Sequence, residues 1–512
     1  MSLVPTPQVI DHDQRHSVTH LQGLQALAAK STSSIIPPAV PRDQSSDKES
    51  ILSTRVPSLR ASESADVPSD TPRRRSIEAE RSSHLEPFDG IHIGETTAEL
   101  SGLPAAAGLS TAPSLAIRRK ELAYLLAMCA PMFLNGWNDS SPGPMLPRLQ
   151  SHYGIGYVVA STIFLANAIG AVTAAITNMW LSTRFGLGIT VALAATSHAI
   201  SYAIQATKPP FPIFVLSFLF TGYGEGLFDA QTNSLVALLP TNPNAKLSLL
   251  HASYGVGAFT SPLISTRFSN MPVAWHYYFL VSMGLAIAVL GILIWVTKLK
   301  HQDTLLHEIG VHPEEETIRA PMIRQVMELK VVHILAFFVL LYTGMEVTIG
   351  GWMVTFVQRR RHGGSSAGYV SSGFFGGLTV GRVALIGITR KVGLQRVLYF
   401  YTLIAIALEF TIWFVPSLYE NAIAVALVGV VIGPFFPIVV RVMSILVPRR
   451  VLTGAVGWVA SIARMGSAVF PFALAVMAEK YGVQVLQPLI VAMLSAMLGA
   501  WFFVPPIPRH SD

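Results

Sequence analysis

AWHYYFLVSMGLAIAVLGILIWVT, residues 274–297, runs for 24 positions without an aspartate, glutamate, lysine or arginine. At 1.5 Å rise per residue a helix of that length crosses the ~30 Å hydrocarbon core of a bilayer. The stretch has counterparts on both sides. Towards the N-terminus, apolar stretches lie near 120–143, 156–181, 187–206, 211–239 and 247–269. Beyond a polar connection at 298–328 they resume near 329–357, 365–388, 395–415, 421–447, 451–478 and 483–504. The cores of soluble proteins do not produce such a series. The expectation is therefore an all-α membrane protein of twelve transmembrane helices in two six-helix halves, 118–297 and 329–505, joined by a cytoplasmic loop at 298–328.

Composition agrees. Only 13% of the 512 residues are charged, against about 25% in soluble domains. Residues 1–117 carry 14 acidic and 10 basic side chains, so the net +7 combines a tail of −4 with a body of +11. Rich in Ser, Pro and Thr and lacking an apolar period, this tail is expected to be disordered. It contains Arg73-Arg74-Arg75-Ser76, read as a solvated charge run ahead of a basic-directed phosphorylation site. No apolar signal-type region occurs in the first 30 residues, so insertion is expected to rely on the first span. With the tail in the cytoplasm, sixteen basic residues fall in inside segments and seven outside, which places both termini, including 506–512, in the cytoplasm. The triple Arg359-Arg360-Arg361 is a local exception to this rule. The positive body implies no nucleic-acid partner, and the single cysteine, Cys129, excludes an intramolecular disulfide.

The halves repeat at an offset of about 207 residues. Arg184-Phe185-Gly186 aligns with Lys391-Val392-Gly393, Asp139 with Glu346, Gly226 with Gly433, and Gly257…Pro262 with Gly466…Pro471. Parallel repeats about an axis along the membrane normal give this pattern.

Five carboxylates lie deep in the spans: Asp139, Glu225, Asp229, Glu346 and Glu409. Each costs about 2.5–3.5 kcal/mol if charged near the bilayer centre, so each must pair, face water or be neutral. Arg382 and Arg441 lie near cytoplasmic ends, where snorkelling accounts for them. Glu409, in a peripheral span, reads equally well as structural. Glu225, Asp229 and Asn233 recur at i, i+4 and i+8, and Asn135, Asn138 and Asp139 at i, i+3 and i+4, each set a helix stripe. His251 and Tyr254 share another face. Together with Arg464 these stripes are expected to line one aqueous cavity. Two carboxylates on one face repel when both are ionised, which suits Asp139, Asp229, Glu225 and Glu346 to loading and releasing protons. The competing reading is that these acids only neutralise Arg464 and stabilise the bundle.

Gly364–Gly368 fits G-x-S-x-G without the strand that pattern needs, and Gly222-Tyr223-Gly224 lies inside an apolar helix. No constellation supports enzymatic turnover, and no cofactor or metal is expected.

Two six-span halves with a polar central loop resemble the major facilitator superfamily over roughly 118–505, and Arg184-Phe185-Gly186 resembles its loop between spans two and three. Gly224-Glu225-Gly226-Leu227-Phe228-Asp229-Ala230-Gln231-Thr232-Asn233 is similar to the fourth span of the fucose-permease-like branch and its fungal relatives. Lys246–His251 through Gly257-Ala258 is similar to the fifth span, and Asn138-Asp139 matches a first-span feature. The resemblance implies proton-coupling carboxylates at Asp139 and Asp229. It also implies cavity ligands at His251 and Tyr254, where that branch binds sugar through a Gln and an Asn. The resulting expectation is a monomeric plasma-membrane transporter that moves a small organic solute with protons by alternating access. Efflux of a toxic compound or metabolite is the alternative, with a non-transporting sensor behind it.

Overall fold

The computed structural model describes residues 115–311 and 320–507; the tail before residue 115, with Arg73–Ser76, lies outside them. All regular elements among the described residues are helical. The N-terminal part holds α1 (Leu115–Ser140), α2 (Pro142–Tyr153), α3 (Tyr157–Ala206), α4 (Phe211–Ala237), α5 (Pro243–Ser269) and α6 (Tyr277–Thr297). Two short helices follow, α7 (Gln302–His307) and α8 (Ala320–Glu328). The C-terminal part holds α9 (Lys330–Arg360), α10 (Tyr369–Ala384), α11 (Ile386–Val392), α12 (Leu394–Phe414), α13 (Leu418–Ile432), α14 (Phe435–Leu446), α15 (Arg449–Tyr481) and α16 (Leu486–Phe502).

The helices fall where the apolar stretches do, but length and composition alone do not give twelve crossings. Eight helices of the described residues pass that test, or nine if α10 and α11, bent by 52° about Leu385, count as one span. Two physical reasons account for the difference. Asn135, Asn138 and Asp139 in α1, and Lys246, His251 and several hydroxyls in α5, lower those helices' mean hydropathy. The 50-residue α3, in turn, is one continuous element only by name. Unbroken, it would reach ~75 Å, more than twice the hydrocarbon thickness. Gly186, at φ 82° and ψ 170°, divides it. Gly393, 207 positions on, stands at φ 91° and ψ 145° between α11 and α12. Both occupy positive φ, where a Cβ is strained.

Packing follows the same correspondence. In the N-terminal part α1 packs on α5 and α3 on α4; in the C-terminal part α9 packs on α15 and α10 on α13. Between the parts α3 meets α15, and α5 meets α10. At one end this seam is polar. The backbone N–H groups of Tyr157 and Val158 donate to Glu479 Oε2 at 2.7 and 3.2 Å, and Asn270 Nδ2 donates to the Ser365 carbonyl at 2.8 Å. Large apolar side chains, including Ile176, Trp180, Trp295 and Ile423, point outwards, the surface expected of a protein solvated by lipid.

The α1–α5 crossing sets the geometry of the interior. A Cβ on Gly136 would overlap the Tyr254 carbonyl, and one on Gly257 would overlap the Phe133 carbonyl. The two backbones therefore touch, which brings Asp139 beside Tyr254. In the central loop, Glu308 accepts from Lys120 Nζ at 3.1 Å, Tyr124 Oη at 2.9 Å and Lys300 Nζ.

Two outcomes are expected. Gly257→Ala forces the crossing apart and costs ~1–3 kcal/mol, read as a lower Tm in detergent, whereas Gly291→Ala, with open space around it, leaves Tm unchanged. Lys300, then Lys120, holds the Glu308 carboxyl down at about 2. A depressed carboxylate contributes stability that is complete above its unfolded value near 4.5 and lost as pH falls through about 2. Hydrogen-exchange protection of residues 300–311 should thus be constant from about pH 8 to 5 and drop throughout that range in Glu308→Gln.

Candidate functional site

The α1 and α4 stripes face each other. Asn138 Nδ2 donates to Glu225 Oε1 at 2.5 Å, and Asn135 Nδ2 donates to Asp229 Oδ1 at 3.0 Å and to the Glu225 carbonyl at 3.4 Å. From α15, Arg464 reaches both acids: one guanidinium nitrogen bonds Asp229 Oδ2 and the other lies 3.7 Å from Glu225 Oε2. Acids one helical turn apart match the two arms of a guanidinium, a geometry lysine cannot supply. Glu225 is fully buried, whereas the Arg464 and Asp229 side chains keep 30% and 33% of their surface exposed, so the pair borders open space.

A second group adjoins the first. Tyr254 Oη donates to Asp139 Oδ2 at 2.9 Å, and the Arg382 guanidinium carbon lies 6.0 Å from the centre of the Tyr254 ring. Arg382 is also the cationic neighbour of Glu346 and Tyr342 on α9. Asp139 links the groups, close enough to repel both Glu225 and Glu346. Tyr202 of α3 donates to Asn138 Oδ1 at 3.2 Å. One network thus draws on helices from both parts of the chain.

Charge decides what it can do. Asp139, Glu225, Asp229 and Glu346 face Arg382 and Arg464, so two negative charges are uncompensated when every group is ionised. Like charges ~4 Å apart repel by ~4 kcal/mol even at an effective dielectric of 20. Binding protons or a cationic group relieves that repulsion.

Other residues take different places. Asn233 Nδ2 donates to the Asp229 carbonyl of its own helix at 2.8 Å. His251 is half-buried one turn from Tyr254, with Arg382 as its charged neighbour. Glu409 is fully buried on α12, which packs on α13 and α16, and its oxygens have no hydrogen-bond partner among the described residues. Arg441 is exposed on α14, whereas Arg382 is half-buried and has Tyr342, Glu346 and Tyr254 as its neighbours. Helical structure continues past residue 388 to Val392, beyond a 52° bend at Leu385. Nor did the stripes reveal Tyr202 or Tyr342, since a single tyrosine in an apolar helix carries no spacing signal.

A family profile described as Major Facilitator Superfamily matches residues 128–450. The chain belongs to the major facilitator superfamily. It is a multi-pass membrane transporter. A relative from Saccharomyces cerevisiae, "Bypass of stop codon protein 6", is 25% identical over 405 residues, covering 74% of this chain and 81% of the relative. The glucose/mannose transporter GlcP of Bacillus subtilis is 24% identical over 285 residues, covering 55% and 70%. Among solved structures, the inward-open xylose transporter XylE from E. coli superposes with a TM-score of 0.60 at 14% identity, covering 75% of this chain and 96% of that one. An inward-facing bacterial homologue of the human lysosomal transporter Spinster gives 0.61 at 12%, covering 75% and 97%.

Removing the guanidinium strands both α4 acids. Arg464→Ala is expected to destabilise the protein near the lower end of the ~3–5 kcal/mol typical of broken buried pairs, because Asp229 and Arg464 are a third open to solvent. The double variant Arg464→Gln/Asp229→Asn should lose less than the sum of the single changes. Thermal unfolding of all the variants in one detergent reads both effects.

Proposed function

We propose that the protein is a proton-coupled symporter of a small organic solute, working by alternating access between two six-helix halves. The observation that carries this reading is the ionic network: four carboxylates and two guanidiniums, drawn from both halves, with an excess of acids in an apolar bundle. Counting α3 as two crossings at Gly186, adding polar α1 and α5, and joining α10 to α11 and α13 to α14 gives twelve crossings. Both termini in the cytoplasm, the plasma-membrane location and the monomeric state belong to the same proposal.

The coupling follows from charge. With the acids ionised, Arg464 on α15 clamps Asp229 and Glu225 on α4 and ties the halves together. Protonation of Asp229 weakens the clamp and frees both side chains for solute. Asn135, Asn138, Tyr254 and His251 then supply neutral hydrogen-bonding groups, with Asn233 orienting the Asp229 turn. Asp139 and Glu346, with Arg382 between the groups, form the second proton-accepting pair. The polar seam of Glu479, Asn270 and Ser365 acts as the outer gate. Hydroxyl-rich solutes are the first class to test, because a glucose/mannose transporter and a xylose transporter are among the relatives.

The experiment is uptake of labelled glucose, mannose and xylose into proteoliposomes under an imposed inward proton gradient. Gradient-driven accumulation is expected for the native chain, and Asp229→Asn should abolish accumulation while retaining solute exchange. Accumulation that is unchanged in both Asp229→Asn and Asp139→Asn would overturn the coupling role. If none of the three sugars moves, hydroxyl-rich solutes of this kind are excluded as substrates.

A further inference from the structure

The triple Arg359-Arg360-Arg361 sits at the membrane face that the charge rule leaves poor in cations. One of the three explains itself. Arg361 Nε donates to Asn421 Oδ1 at 2.8 Å, and its Nη2 donates to the carbonyls of Ile412 and Trp413 at 2.6 and 3.1 Å. It thereby ties α9 and α13 to the carbonyl-rich end of α12, where a cation is favoured. Arg359 and Arg360 are exposed, and their guanidiniums make no hydrogen bond or ion pair among the described residues.

Arg360 opens onto a crevice of about 420 Å³ whose lining includes Phe356, Trp413, Phe414 and Gln484. Its aromatic wall is ordered. Phe410, Trp413 and Phe414 stack nearly parallel, with Trp413 and Phe414 centroids 5.2 Å apart, and Phe414 is 69% exposed. The nearby acid, Glu420, which accepts from Asn421 Nδ2 at 2.5 Å, faces Arg361 and offsets only one of the three cations. The crevice therefore combines net positive charge with an exposed aromatic wall, the pairing characteristic of sites where aromatic belts meet headgroups.

We infer that this crevice binds the phosphodiester headgroup of an anionic glycerophospholipid from the surrounding leaflet. Arg360 takes the phosphate oxygens through its planar fork of donors, and Trp413 and Phe414 carry the glycerol and the first acyl carbons. Free phosphate satisfies the guanidinium but leaves the aromatic wall in water, so the wall selects for lipid. The site shares α9 with the ionic network but none of its residues, since Phe356 and Arg360 lie towards the end of α9 beyond Glu346.

Thermal unfolding of the full chain in detergent, with added phosphatidylglycerol, phosphatidylcholine or inorganic phosphate, tests this, since a ligand of the folded state raises Tm. Phosphatidylglycerol should raise Tm more than phosphatidylcholine, whose choline cation meets the arginine triple, and inorganic phosphate should not raise it. Arg360→Gln should lose at least half of the shift and Phe414→Ala should reduce it, while the exposed Arg441→Gln keeps it in full. Native mass spectrometry should show correspondingly less copurifying anionic lipid on Arg360→Gln. A shift that is equal in native and Arg360→Gln protein overturns the site. An equal shift from inorganic phosphate overturns its lipid identity.

Discussion

An ion in hydrocarbon must be answered by another ion, by water or by a proton, and the interior of this chain is arranged around that demand. Arg464 bridges Asp229 and Glu225, while Arg382 serves Glu346, Tyr342 and Tyr254, the last of which donates to Asp139. Because the two guanidiniums come from the C-terminal part and three of the four acids from the N-terminal part, charge pairing and contact between the parts are one interaction. A bundle held by van der Waals packing alone has no reason to change shape when a proton arrives. A bundle held by these pairs does, and that is the physical link between the fold and the proposed transport.

This also bears on whether the acids are structural or functional. They do neutralise Arg464, as the purely structural reading required. A pair made only for stability, however, is seldom favoured over apolar packing of the same volume. It is also seldom left a third open to solvent, as Asp229 and Arg464 are, with extra acids close enough to repel. Excess charge beside open space costs stability, and retaining it makes sense where that charge is periodically neutralised.

Much of the fold could be read from the apolar stretches, because the bilayer fixes their length. The stripes on α1 and α4 could be read too, since Asn135, Asn138 and Asp139 and Glu225 and Asp229 follow the helical period, and the structure faces them across hydrogen bonds of 2.5 and 3.0 Å. Depth was less legible. Arg382 looked peripheral because the apolar run ends before the helix does, and a bend at Leu385 is invisible to hydropathy. Partnership was least legible. That Tyr254 serves Asp139, or that Tyr202 serves Asn138, depends on where helices cross, and the crossing is set by Gly136 and Gly257, whose significance appears only in three dimensions.

The same reasoning shows why two helices fail a hydropathy test although they belong to the bundle. α1 and α5 carry the amides, the histidine and the hydroxyls that make a cavity wettable, and each of these groups lowers the mean that marks a span. Their glycine crossing compensates: backbones in contact gain close packing on the faces that carry the polar groups. Polarity and close approach therefore occur together on one face of each helix, while the opposite faces still expose Leu122 and Leu126 on α1 and Val256 and Phe259 on α5. In a chain of this kind the segments least like a membrane span are the ones to search for the solute.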